Sequence, residues 1–458
     1  MTPVLRNAFT FFGFMLCICD VQLQSAQENI FAGNFLPDQE LWLTWLRYGL
    51  CGGALLLSAV VLSASEEKNL GFRRHGFIFV FLFFFCLITA IRSAMDMRNG
   101  LYLLATGSRH IASFALVAMA TSLARNFNCV RPLLLGALPA YIFRFIFSTY
   151  NFIIGDGVEI TGGVRSVALD AGFMIFGIFY LFVGVNKTLR LFAEGKQRAA
   201  FGWMVASVIL LFLPIASFRR ATIVITVGSL ILGFLIHSFV NRILLRRILP
   251  ILAVNVLVAA VSVGMFFATF GPDVAMERIR SFAIHDEGDL SASNASYERD
   301  FDYTFDLIKR NPIAGIGFST AYGISGRDEE MGAMAQFDRV GSEIVLHVGL
   351  LELVVRQGIF GILVWLLVFL WIPGFRIYQL RKMGTQVSLI PCLCLAFFFL
   401  YANLLTSPPF YNEVRPAIFL GMALGIALCN DPDSLFEAPK LSFGLFKLNR
   451  AWVRTQEA

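Results

Sequence analysis

Apolar windows of about 17–25 residues, each long enough to span a bilayer, recur along this chain with short polar joints between them. They fall at residues 5–22, 41–63, 76–93, 101–123, 132–151, 166–186, 200–217, 221–240, 248–270, 345–374, 387–405 and 414–430. The pattern predicts about twelve transmembrane helices and an all-α polytopic membrane protein. One joint breaks the rule: residues 271–342 are polar and on balance acidic. Within it Ser296 is placed to cap a helix running to Arg310, with Tyr297, Phe301, Phe305 and Ile308 on one apolar stripe. Pro312 stops that helix, and Ala314-Gly315-Ile316-Gly317 then reads as a tight turn. A loop of this length is expected to be an ordered lid lying on the membrane surface. The chain thus divides into helices one to nine (1–270), the lid (271–342), helices ten to twelve (343–430) and a polar tail (431–458).

Composition strengthens the membrane reading and adds little else. The chain of 458 residues is 57% hydrophobic and 15% charged, with 48 Phe and a mean hydropathy of +0.71. A soluble protein of this size would carry far more polar surface. The net charge of +6 is not a nucleic-acid signature. All eight cysteines fall in apolar runs or on short joints, so neither a disulfide framework nor a zinc site is expected. Asp20 follows the first apolar run directly, without a small-residue cleavage site, so that run is expected to remain as a helix.

Charge placement gives orientation. Lys68/Arg73/Arg74, Arg125/Arg131, Lys187/Arg190/Lys196/Arg198, Arg242/Arg246/Arg247 and Arg376/Arg381/Lys382 fall on every second joint, and Lys440, Lys447, Arg450 and Arg454 fall in the tail. Cytoplasmic loops carry such an excess. Both termini are therefore expected in the cytoplasm, and the lid outside it.

Charged side chains also sit where lipid should be: Arg47, Arg92, Arg109 with His110, Arg144, Asp170, Arg219, Arg220 and Arg415. A charge at the bilayer centre costs at least ~2.5–3.5 kcal/mol. Singly, such residues snorkel to headgroups or pair with an acid. Collectively they fall in the outer halves of their helices, and a layer of guanidinium groups at one depth suits a phosphate, which it grips bidentately. A polyprenyl or phospholipid phosphate of the outer leaflet is the natural occupant. Ser217-Phe218-Arg219-Arg220-Ala221 is the sharpest case, a very short outer turn with two cations and no acid.

His347 stands just before the long apolar run that contains Gly358 and Gly361. Histidine is the side chain whose ordinary pKa suits proton transfer near neutrality. Glu343, one helical turn earlier, is placed to fix its tautomer, while Glu352 and Arg356 can neutralise each other one turn deeper. Gly358 and Gly361 read as close-packing positions.

These pieces, in this order, resemble the O-antigen ligase and polysaccharide polymerase superfamily over roughly residues 205–372. The resemblance rests on the arginine turn Ser217–Ala221, Arg299 in Ser296-Tyr-Glu-Arg-Asp-Phe, Asn311-Pro-Ile-Ala-Gly-Ile-Gly317, and His347 eleven residues before Gly358-Ile-Phe-Gly361. The chain departs from the family in Val348, where Asn is frequent, and in Arg356, where an acid is common. The resemblance implies a GT-C-like, metal-independent, inverting membrane glycosyltransferase that needs no cofactor. It acts at the periplasmic face of the bacterial inner membrane on an undecaprenyl-diphosphate-linked glycan donor and a glycan acceptor. Arg219 or Arg220, together with Arg299, would hold the diphosphate, and His347 would accept or position the acceptor hydroxyl. Arg47, Arg109, Arg144, Glu343 and Arg415 would line the substrate site. Membrane lipid and a polysaccharide chain-length regulator are the further partners implied, and no nucleic acid.

The expected activity is polymerisation of lipid-linked repeat units of a surface polysaccharide, O-antigen or exopolysaccharide. A ligase that moves finished glycan onto lipid A core or another acceptor would use the same donor chemistry. A lipid-linked sugar flippase or transporter would need charges near the midplane and access from both sides. The outer bias of the arginines, the acidic lid and the absence of an internal repeat speak against that, and the arginine turn suits a scaffold poorly.

Overall fold

The computed structural model describes residues 3–31, 37–64, 114–124, 129–154, 158–160, 164–166, 171–216, 220–242, 354–355, 357–382, 387–404 and 414–429, with single positions at 264, 305, 308–309, 312–313 and 315. The architecture is helical. In chain order the helices are α1 (Pro3–Phe31), α2 (Pro37–Ala64), α3 (Phe114–Ala124), α4 (Val130–Ile154) and α5 (Ala171–Ala193). There follow α6 (Gln197–Ala216), α7 (Arg220–Asn241), α8 (Ile359–Lys382), α9 (Leu389–Leu404) and α10 (Val414–Leu428). Proline opens α1 and α2, where its missing N–H costs nothing. Among the described residues, four segments are long and apolar enough to cross a membrane: Val130–Phe147, Ile175–Phe192, Thr222–Asn241 and Ile359–Lys382. The predicted window 76–93, the window 248–270 apart from position 264, nearly all of the lid and the tail lie outside the described residues.

Two local features differ from the hydropathy reading. First, the strands β1 (Val158–Ile160) and β2 (Val164–Ser166) form an antiparallel hairpin in the register Val158↔Ser166, Glu159↔Arg165, Ile160↔Val164. The helix expected from residue 166 therefore starts only at Ala171. Second, the window 345–374 is not one helix. It breaks at Gly358, and α8 runs on to Lys382. Inside α8 the chain widens into a π turn over Leu366–Trp371. Pro373 follows; it offers no N–H to the Phe369 carbonyl and its ring crowds that group, which the wider turn accommodates.

The helices pack through glycines that let backbones meet, as expected where lipid supplies no hydrophobic drive between them. A Cβ on Gly13 would strike the Leu133 carbonyl of α4, and one on Gly136 would strike the Thr10 carbonyl of α1. Gly233 of α7 admits Leu393 of α9, and Gly421 and Gly425 of α10 admit Leu116, Ala120 and Leu123 of α3. From Leu389 to Phe398, α9 is buried almost throughout, as is α10 from Ala417 onward. Both are apolar on every face, as central helices should be.

These contacts also fix the relative direction of each helix. Gly13/Leu133 and Gly136/Thr10 mark the point where α1 and α4 cross, and Cys17/Arg144, farther toward the C-terminus of both helices, makes them parallel. The pairs Gly421/Leu116 and Gly425/Ala120 make α3 and α10 parallel. Gly228/Leu400, Gly233/Leu393 and His237/Val387 make α7 and α9 antiparallel. Phe182/Phe397 and Asn186/Ser388 do the same for α5 and α9, as do Trp365/Asn403 and Phe369/Phe398 for α8 and α9. All of these relations agree with the alternation predicted from the charged joints. One end of the bundle gathers the described basic residues of the joints, among them Arg131, Lys196, Arg242 and Lys382. There the exposed turn between α5 and α6 closes on Gly195 (φ 74), with Lys196 N–H donating to the Leu191 carbonyl at 2.9 Å. The Lys196 ammonium and the Arg190 guanidinium clasp Glu194 there and hold its carboxyl below the ordinary range.

Arg376, counted in the sequence among the joint cations, lies instead inside α8 and is 1% exposed. Its Nε donates to the Ala427 carbonyl at 2.9 Å, Nη2 donates to the Cys429 carbonyl, and Nη1 reaches Gln379 Oε1 at 3.3 Å. The guanidinium thereby satisfies carbonyls at the C-terminus of α10, where a cation also complements the helix dipole. Arg376→Met is expected to lower stability by roughly 3 kcal/mol, because it strips charge-assisted bonds from buried carbonyls. A thermal unfolding midpoint in detergent no lower than that of the wild type would refute this role.

Candidate functional site

Opposite the basic joints, the other end of the bundle collects the first residues of α5, α7, α8 and α10 and the last of α4, α6 and α9. Two of the predicted arginines open helices there: Arg220 is the first residue of α7 and Arg415 the second of α10. The β1–β2 hairpin lies between α4 and α5 at this same end. Arg47 sits within α2. Arg144 lies within α4, 4% exposed, and donates to the Cys17 carbonyl of α1 at 3.3 Å. It therefore ties these two helices together in the half of α4 nearer this end. His347, Glu343, Arg299, Arg219 and Arg109 lie outside the described residues.

The sharpest geometry at this end joins two segments that are distant in sequence. Gly358 N–H donates to the Val354 carbonyl at 2.6 Å and ends a helical turn; Ile359 N–H then donates to the Pro312 carbonyl at 3.0 Å as α8 begins. Between them Gly358 adopts φ 58, ψ −139, a combination open essentially to glycine alone. The fit is tight as well as strained. A Cβ on Gly358 would lie 2.5 Å from the carbonyl atoms of Ile313 and 2.6 Å from the Pro312 oxygen. Pro312 and Ile313 stand in a turn, and Gly315, also at positive φ, is buried just beyond. This turn docks on the break that begins α8; the tight turn expected over residues 314–317 lies, Gly315 apart, outside the described residues.

Sequence reasoning marked both segments and missed their contact, since neither hydropathy nor spacing encodes it. It also missed Gln357, which precedes the break and is only 6% exposed. The Gln357 Oε1 atom is buried and has no hydrogen-bond partner among the described residues. Seven residues into α8, Trp365 Nε1 donates to Asn403 Oδ1 at 2.8 Å, and Asn403 Nδ2 donates to its own helix at the Phe399 carbonyl. That pair locks the first turns of α8 to the end of α9, beside the π turn. A rigid frame therefore backs the Pro312–Gly358 junction.

A helical, multi-pass membrane protein with a glycine-built junction at one end of its bundle is the class this arrangement defines. Residues 205–366 match the O-antigen ligase family, which bears out the resemblance over that stretch. The match contains the arginine turn, the Pro312 segment and Gly358–Gly361. No curated protein matches the chain.

Proposed function

We propose that this protein is a glycosyltransferase that polymerises undecaprenyl-diphosphate-linked repeat units of a surface polysaccharide at the periplasmic face of the bacterial inner membrane. The observation that carries the reading is the docking of Pro312–Ile313 on Gly358. Two motif segments within the matched stretch meet there, at the bundle end where Arg220 and Arg415 open their helices. The full fold in this reading has twelve spans in a GT-C-like arrangement. Both termini and the basic joints are cytoplasmic, and the lid of residues 271–342 covers the outer end.

The chemistry follows from the residue types. The glycan donor enters with its diphosphate against Arg219 or Arg220 and Arg299, whose forked N–H groups match phosphate oxygens. The acceptor hydroxyl lies by His347, oriented in turn by Glu343. His347 takes the hydroxyl proton while the oxygen attacks the anomeric carbon from the face opposite the diphosphate. The new glycosidic C–O bond forms as the old C–O bond to phosphate breaks, the electron pair leaves with undecaprenyl diphosphate, and the anomeric configuration inverts. The arginines stabilise the negative charge that develops on the leaving oxygen, so no metal ion is required. Arg47, Arg109 and Arg415 complete the cationic lining, while Arg144 braces α4 against α1 behind it.

The family's description as O-antigen ligase favours a second reading, transfer of finished glycan to lipid A core or another acceptor by the same steps. The glycan profile of a deletion strain separates the two. Loss of a polymerase leaves single repeats on the final acceptor, whereas loss of a ligase strands long chains on polyprenyl diphosphate. An unchanged profile would refute both.

A further inference from the structure

A buried oxygen without a donor destabilises a fold, and native structures rarely tolerate it without a use. Gln357 Oε1 is such an atom, and its position in the chain is telling. It directly precedes Gly358, whose strained backbone receives the Pro312–Ile313 turn. Strain and an unsatisfied polar atom at adjacent residues mark a functional locus. Alternative uses for a buried amide are accounted for elsewhere. Gln379 takes the Arg376 Nη1 bond, Asn241 pairs with both main-chain groups of Val387, and Asn403 bridges Trp365 to α9.

The chemistry of the missing partner is constrained. An amide oxygen accepts hydrogen bonds and repels other acceptors. A diphosphate, all acceptor oxygens, does not suit it; neither does an apolar prenyl chain. A sugar, whose rim is a ring of hydroxyl donors, does. We propose that Gln357 is a glycan-binding residue whose Oε1 accepts a hydrogen bond from a sugar hydroxyl of the lipid-linked substrate, so that it reads the saccharide while the arginines read the phosphates. This assignment rests on the glycosyltransferase reading above. It adds a specificity determinant, because a site built to accept from a hydroxyl rejects sugars that lack it.

Gln357→Met keeps the length of the side chain and removes the acceptor. The test uses full-length protein in detergent, with the polyprenyl-linked glycan pool extracted from a strain lacking the protein as the probe. Initial rates are measured against glycan concentration, and thermal midpoints with and without that pool. The expected result is a KM raised about tenfold, the loss of one hydrogen bond to a neutral partner, with kcat within about twofold. The resting midpoint should stay level or rise, because an unsatisfied polar atom has gone, while the stabilisation conferred by the glycan shrinks. An unchanged KM overturns the assignment. So does a variant that unfolds or melts several degrees lower, since Oε1 would then be satisfied within the resting fold. A wild-type protein that neither transfers nor is stabilised by the pool overturns the glycosyltransferase reading itself, and this inference with it.

Discussion

Gly358→Ala is expected to cut glycan transfer by about 100-fold, the scale of loss that a misplacement of about 1 Å in a catalytic frame produces. Two independent costs coincide at this residue. The φ 58, ψ −139 backbone imposes about 1–3 kcal/mol on any side chain. The added methyl would also lie within 2.6 Å of the Ile313 carbonyl and the Pro312 oxygen. Those neighbours are backbone and cannot swing aside as a flexible side chain would. The only relief is to part the Pro312 turn from the start of α8, which breaks the Ile359 N–H to Pro312 carbonyl bond. Gly374, in the same helix, provides the control: a Cβ there meets nothing within 4 Å. Gly374→Ala should retain full transfer and gain roughly 0.5–1 kcal/mol from better helix propensity. The measurement is surface glycan made by a deletion strain complemented with each variant, alongside the amount of protein in the membrane. Wild-type glycan from Gly358→Ala would show that the junction does not position the site.

What the sequence made legible follows the range of each signal. Helices α4, α6 and α7 begin and end within a few residues of their apolar windows, because a bilayer-length apolar run is a strong local signal. The alternation of basic joints predicted helix directions that the glycine and aromatic contacts reproduce. Signals of three residues fared worse. The β1–β2 hairpin is too short for a window average, although Thr161-Gly162-Gly163 between its strands is turn chemistry that marks it in retrospect. Arg376 shows the opposite failure. Its charge is conspicuous, yet only the approach of the α10 terminus reveals that the residue is buried. Gly358 was legible as a glycine and invisible as a break, because nothing local announces that Pro312 lies against it. The candidate site divides along the same line. Arginines at helix ends can be read from the charge pattern, as Arg220 and Arg415 were, whereas Gln357 becomes conspicuous only once burial strips it of partners.

His347→Ala is expected to abolish polymer, with transfer reduced by about 10²–10⁴-fold, the usual worth of a positioned proton acceptor. Protein level and thermal midpoint should stay near those of the wild type. That contrast separates it from Gly358→Ala, where the frame itself is disturbed and both readouts fall. A base must be neutral to accept a proton, so the wild-type rate should decline as falling pH protonates the imidazole. The sign follows from the role: protonation fills the acceptor site, so activity is present above the pKa and lost below it. His347→Gln can still hold the acceptor hydroxyl through its amide but cannot carry its proton away. If proton transfer is the contribution, Gln should be as inactive as Ala. If positioning is, Gln should recover much of the rate, and its pH profile should be flat where that of the wild type slopes. Full polymer from His347→Ala would remove the residue from the chemistry, and would leave the phosphate-gripping arginines and the Pro312–Gly358 junction to serve some other reaction of a lipid-linked substrate.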